Sequence, residues 1–378
     1  MVAAPSFRRQ GPGRLRVEAL DLLRLVAAVM VVVYHYTFHG PGAYDLTWFS
    51  IPDAAPVTKY FYLGVPLFFV ISGFVIPYSA EGRPLQRYVV ARFARIYPGF
   101  LFCMTLTFVV VLLFGAPRLE TSAMQWAANL FVAAPALGQP YMDSVYWSIV
   151  IEIVFYGWAA LAIAFGLFDR RLPELVAGWL LISLGNELFL DSGIVRRLFI
   201  TNYSGFFSAG LMLYLLFRGR RAPSVWTLLL AATAFGAIQE NWNADFQRAR
   251  SVELSALVVV AGSVASVLLV AAGIMIRRVP LPAALLLALG GLTYPLYLLH
   301  QVIGYVALNR LEGLALPPLV LLGGTSLLIV GLAWLVYRFV ELPARRRTAA
   351  LLDRAVDATL GAPPVKATVL GDRAGSPP

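Results

Sequence analysis

Residues 20–39, LDLLRLVAAVMVVVYHYTFH, decide how this chain is to be read. About twenty mostly apolar residues cross the hydrocarbon of a bilayer as one helix. Yet this run holds Arg24 near its start and His35 near its end. Arg8, Arg9, Arg14 and Arg16 precede it, as in a secretory signal, but no small-residue cleavage site follows. The stretch therefore reads as a retained first transmembrane helix with polar groups placed inside it on purpose.

The rest of the chain has the same character. Of 378 residues, 60% are hydrophobic and 13% charged, with mean hydropathy +0.76. A soluble domain carries about a quarter charged residues, so lipid is the solvent for much of this chain. Apolar runs recur near 60–79, 96–114, 146–168, 174–190, 198–217, 224–238, 254–276, 283–308 and 318–340. The expected fold is all-α, a polytopic membrane bundle of about ten transmembrane helices. With the N-terminus placed in the cytoplasm, 22 basic residues fall on that side and 7 on the other. The positive-inside bias therefore predicts cytoplasmic N- and C-termini. Residues 1–19 form a basic cytoplasmic arm and 20–343 the transmembrane domain; 344–378, rich in Ala, Gly and Pro, reads as a disordered cytoplasmic tail.

Net charge is +10, carried almost wholly by arginine. The arginines are scattered between apolar spans and form no nucleic-acid-binding face. The single cysteine, Cys103, excludes a disulfide framework and a cysteine metal site, and as a residue of an apolar span it reads as a buried bystander. His35 and His39 stand one turn apart, a spacing that suits a metal, but HExxH is absent and the chain has only three histidines. Neither a metal nor a bound cofactor is expected.

Ionisable groups within a membrane are costly and mark function by default. Arg24 and His35 are eleven residues apart, nearly three turns, so they share a side of the helix over a rise of roughly 16 Å. Glu152 falls in the outer half of the fourth run and His300 in the outer half of the ninth. The expectation is that His35, Glu152 and His300 meet at one depth in a polar shaft. Plainer roles stand beside these, His300 as a packing residue and Glu152 as half of a buried ion pair. In RPLQRYVVARFARIYP, Arg92 and Arg95 lie one turn apart at the cytoplasmic edge and suit a phosphate-bearing ligand, although any positive-inside anchor has this look. In GVPLFFVISGFVIPYS, Gly64, Gly73 and Ser72 allow close helix approach or a narrow passage. Ser72 has no GxSxG elbow and is not read as a nucleophile.

The blocks DLLRLVAAVMVVVYH, GVPLFFVISGFVI, RYVVARFARIYP, WSIVIEIVFY, TYPLYLLH and RFVELP stand in order between Leu20 and Pro343. Together they resemble the membrane-bound acyltransferase-3 family, whose members O-acylate polysaccharides, lipopolysaccharide, macrolide sugars and similar acceptors. The resemblance implies that Arg24 and His35 are essential, with His35 catalytic, and that Arg92 and Arg95 serve the acyl-CoA side. It places the family's fourth-helix acid on Glu152 and its late histidine on His300. Leu22 and Thr293 depart from the usual Gly and Ser. Some relatives carry a fused esterase-like domain, for which this chain has no room.

The expected activity is thus O-acyl transfer in the cytoplasmic membrane from acyl-CoA to a hydroxyl of a carbohydrate, glycolipid or glycosylated metabolite. Arg24, Arg92, Arg95 and Ser72 stand on the donor side. His35 acts as general base, with Glu152 or His300 orienting it. An acyl-enzyme is the rival chemistry, and a proton-coupled transporter or exporter of a small organic anion the rival function.

Overall fold

A backbone in lipid must satisfy its own hydrogen bonds, which leaves the helix as the local solution for apolar runs of this length. The computed structural model describes residues 17–360 apart from 44, 249–251, 277 and 315, together with Arg9–Gln10 and Arg14–Leu15, which pair as a two-residue ladder. The long helices are α1 (Glu18–Tyr34), α2 (Gly64–Ala80), α3 (Leu85–Phe114), α4 (Trp147–Ala164), α5 (Leu172–Gly185), α6 (Ser204–Phe217), α7 (Pro223–Arg248), α8 (Ala256–Met275), α9 (Ala283–Arg310), α10 (Pro318–Val336) and α11 (Leu342–Leu360). Wider π turns extend α1 through His35–Ala43, α5 through Asn186–Leu190 and α10 through Tyr337–Glu341.

Among the described residues, eight helical segments are long and apolar enough to cross a membrane. Those built on α5 and α7 are not among them, in contrast to the ten expected. The reason is polarity: the α5 segment carries Glu174, Asn186 and Glu187, and α7 ends in QENWNADFQR. Even so, both helices carry the chain back along the bundle. Phe69 stacks on Phe207 at 4.8 Å and Phe74 meets Tyr214 at 6.4 Å, so α2 and α6 run parallel. Phe69 also meets Trp147, and Ser72 meets Glu152, so α4 shares that direction. A chain that leaves α4 and enters α6 the same way must return through α5. Gln239 of α7 binds the first turn of α6 through Gly205 N–H at 3.0 Å, so α7 runs antiparallel to α6.

The helices meet most closely where side chains are smallest. A Cβ added at Gly73 would strike the Phe207 carbonyl oxygen, and one at Gly210 the Val70 carbonyl. This paired contact lets the backbones of α2 and α6 touch, the packing that lipid-embedded helices use in place of a hydrophobic drive. The outer surfaces of α3, α8 and α10 expose Leu112, Leu113, Leu257, Leu268, Leu319 and Leu327.

Residues 344–360, expected to open a disordered tail, instead continue as α11. Their Ala and Leu content favours helix, and Arg87 of α3 holds Asp353 at 2.5 Å and also pairs with Asp357. Residues 361–378, and most of the basic N-terminal arm, lie outside the described residues.

Candidate active site

His35 sits where α1 widens from α to π geometry, a change found often at functional positions. α9 runs beside α1 in the same direction: Gly290 faces Asp21, and Gly304 makes room for the Tyr36 ring. The two histidines meet, with His300 Nε2 3.0 Å from His35 Nδ1. Their protons can be assigned from their other partners. His300 Nδ1 lies 2.8 Å from the Tyr297 carbonyl and 3.2 Å from that of Leu296. A carbonyl only accepts, so the neutral ring carries its proton on Nδ1 and accepts through Nε2. His35 Nδ1–H then donates to His300 and to the Val31 carbonyl at 2.8 Å. The lone pair of His35 is left on Nε2. The backbone carbonyls thus fix which nitrogen of the pair is unprotonated.

The turn bearing His300 is gripped from the end of α1 and from the loop before α4. Tyr36 Oη donates to the His300 carbonyl at 2.6 Å, and Tyr146 Oη to the Leu298 carbonyl at 3.3 Å. The Asp143 carboxylate accepts from Val302 N–H at 2.9 Å and from Val145 N–H at 3.1 Å. Burial pushes its carboxyl up to about 7, against the downward pull of those two bonds. His39 lies 3.1 Å from Tyr305 Oη and borders His35 with ring centroids 4.9 Å apart.

The other candidates line a separate cavity of about 610 Å³ at the end of the bundle where α1, α3, α9 and α11 begin and α2 ends. Five arginines (Arg24, Arg83, Arg92, Arg95, Arg345) and three carboxylates (Asp21, Glu152, Glu341) share its wall, a formal excess of two positive charges. Arg24 pairs with Asp21 at 3.5 Å and Arg95 with Glu341 at 2.5 Å. The Arg92 guanidinium lies 5.5 Å from the Tyr156 ring centroid and 5.9 Å from that of Tyr88. Its Nε is buried with no hydrogen-bond acceptor among the described residues. A buried charged donor lacking an acceptor fits an anionic ligand. Ser72 lies in the same wall with its Oγ 3.4 Å from Glu152, which also accepts from Tyr156 Oη.

Thus Arg24, Arg92, Arg95, Ser72 and Glu152 come together, and His35 and His300 come together, but the two sets are apart. Neither histidine lines the cavity. The expected meeting of Glu152 with His35 does not occur, and register explains it. Ser148 Oγ of α4 bonds Tyr297 Oη of α9 at 2.8 Å, which levels those two residues. From there Glu152 is four residues on along α4 and His300 three residues on along α9, in the opposite direction. Seven residues at helical rise separate them by roughly 10 Å. The carboxylate therefore falls among the arginines.

Sequence reasoning passed over Arg345, Glu341, Ser148 and Tyr297. The last three lie in blocks already quoted (RFVELP, WSIVIEIVFY, TYPLYLLH), while Arg345 stood in the supposed tail.

A family model, acyltransferase-3, described as an acyltransferase domain, matches residues 17–338. No curated protein and no solved structure matches the chain.

Proposed function

This chain belongs to the acyltransferase-3 family, and we propose that it uses acyl-CoA to acylate a hydroxyl of a carbohydrate or glycosylated acceptor, with His35 as general base. As a multi-pass membrane acyltransferase it needs an acyl donor and a hydroxyl-bearing acceptor. The arginine chamber supports a donor rich in phosphate, as the nucleotide end of CoA is: bidentate guanidinium contacts suit phosphate oxygens, and Arg92 brings an unused donor. On the proposed orientation, ten helices cross the membrane and both termini are cytoplasmic. The chamber then opens on the side where acyl-CoA is made, and the histidines lie nearer the outer face.

The observation that carries the reading is the His300–His35 hydrogen bond. His35 Nε2 takes the acceptor's proton as its oxygen attacks the thioester carbon. The resulting positive charge is shared through Nδ1–H with His300, which plays the orienting part that a carboxylate plays in hydrolytic triads. The departing sulfur receives the proton as the C–S bond breaks. In this reading Glu152 serves the donor chamber and not the base. A thioester is an activated acyl group, so this route invokes neither metal nor bound cofactor.

The test is to feed isotope-labelled acetyl-CoA to membranes containing wild-type or His35→Ala protein. Glycans, glycolipids and metabolites are then read by mass spectrometry. Labelled esters with wild type and none with His35→Ala are expected. Equal labelling in both would remove His35 as the base. Acyl label retained on the protein without acceptor would replace direct transfer by an acyl-enzyme. Passage of a small organic anion across the bilayer with no thiol released would favour a transporter.

A further inference from the structure

The donor chamber ends before the histidines, and one side chain stands at the boundary. Tyr297 lines the chamber, and its ring centroid lies 5.6 Å from that of His300. The Phe68 ring of α2 meets it edge-on at 5.8 Å. Its hydroxyl is 2.8 Å from Ser148 Oγ, and Ser148 donates to the Val145 carbonyl at 3.0 Å. With the serine proton so engaged, Tyr297 donates to Ser148, and its hydroxyl also reaches the Val145 carbonyl at 3.4 Å. The Tyr297 hydroxyl, held at the start of α4, thus fixes an aromatic ring between the arginines and the histidine pair.

We propose that Tyr297, latched to Ser148, is the residue that keeps chamber water from the histidine pair and makes the enzyme selective for acyl transfer over thioester hydrolysis. This rests on the donor reading above. In both outcomes a C–O bond forms, the C–S bond breaks, and the proton of the attacking hydroxyl passes through His35 to the sulfur. Only the source of the oxygen differs. A chamber lined with guanidinium and carboxylate groups fills with water when no donor is bound, and an open path would bring that water to a prepared base. The latch is one neutral hydroxyl shared between Ser148 and, at longer range, the Val145 carbonyl. Water can replace the hydrogen bond of the tyrosine hydroxyl but not the packing of its ring against Phe68, whereas a pantetheine arm arriving from below supplies both an acceptor and a surface, so the donor displaces the ring at little cost.

Accessibility tests the partition without needing catalysis. The full chain, with His300→Cys in a Cys103→Ala background, is placed in nanodiscs and exposed to a charged methanethiosulfonate. Position 300 is fully buried, so labelling is slow. Adding Tyr297→Phe removes the latch and speeds labelling about fivefold, the value of one net hydrogen bond. Tyr297→Ala speeds it further, and excess CoA slows it again. Unchanged labelling in Tyr297→Ala overturns the partition. With both histidines intact, Tyr297→Ala is expected to release thiol from acetyl-CoA without acceptor faster than wild type, and adding His35→Ala to abolish the excess. Faster labelling with no such leak overturns the selectivity role. Faster labelling with no thiol released by any form, with or without acceptor, upholds the partition and overturns the donor reading instead.

Discussion

Replacing His300 by alanine separates an orienting histidine from a packing one. In the resting enzyme the His300–His35 bond joins two neutral rings at 3.0 Å and is worth about 1 kcal/mol. If His35 gains the acceptor's proton as proposed, the same bond has a charged donor and is worth about 2–3 kcal/mol. The difference, about 1–2 kcal/mol, is the stabilisation confined to the transition state. His300→Ala should therefore lower kcat about five- to thirtyfold. The KM for the donor should hardly move, because the donor chamber does not include His300. The assay is acceptor-dependent release of CoA thiol at varied donor concentration. A second readout is the ¹⁵N spectrum of His35, whose Nε2 should show the unprotonated form in wild type and a tautomer mixture in His300→Ala. Unaltered kcat together with an unaltered spectrum would refute the assigned relay. A fall in stability with kcat retained would leave His300 as packing.

Three further outcomes follow from other parts of the molecule. Arg92→Ala removes a buried donor that a phosphate oxygen would occupy, a charge-assisted bond of about 2 kcal/mol; donor KM should rise about thirtyfold with kcat nearly constant, and an unchanged KM would remove Arg92 from the donor site. Gly210→Ala pushes a methyl group into the Val70 carbonyl and should cost about 1–3 kcal/mol of stability, seen as a lower melting temperature in detergent; an unshifted melt would mean that α2 and α6 can separate freely. Asp143 holds its proton more tightly when folded, with its carboxyl raised from 3.8 to about 7. Its contribution to stability is then full below about pH 4 and lost as pH rises through about 7, so the melting temperature should decline over that window in wild type and less steeply in Asp143→Asn; parallel curves would dismiss the carboxylate as the cause.

The helices were legible because an apolar run in lipid has one way to satisfy its backbone. Arg24 and His35 were legible as polar intrusions into the first such run. Depth across helices was not. Placing Glu152 beside His35 required the offset between α4 and α9, which is set by side-chain contacts, such as Ser148 with Tyr297 and Tyr146 with the Leu298 carbonyl, that no periodicity reveals. The last arginine of the chamber was hidden differently: Arg345 lies in a segment whose composition suggested disorder, and only the ion pairs from Arg87 to Asp353 and Asp357 show why it folds back. The two polar helices, α5 and α7, were counted as spans on their apolar cores, and the charged and amide residues at their ends keep them outside the simple apolar class.

The arginine chamber draws on both extremes of the described chain, Arg24 from α1 and Arg345 from α11. A ribosome delivering this protein into the bilayer therefore cannot finish the chamber until the last of these helices has emerged. Until then an unfinished chain lacks an assembled chamber, and on the proposed function has no place to hold a donor. The chamber closes only when α11 is clasped against α3.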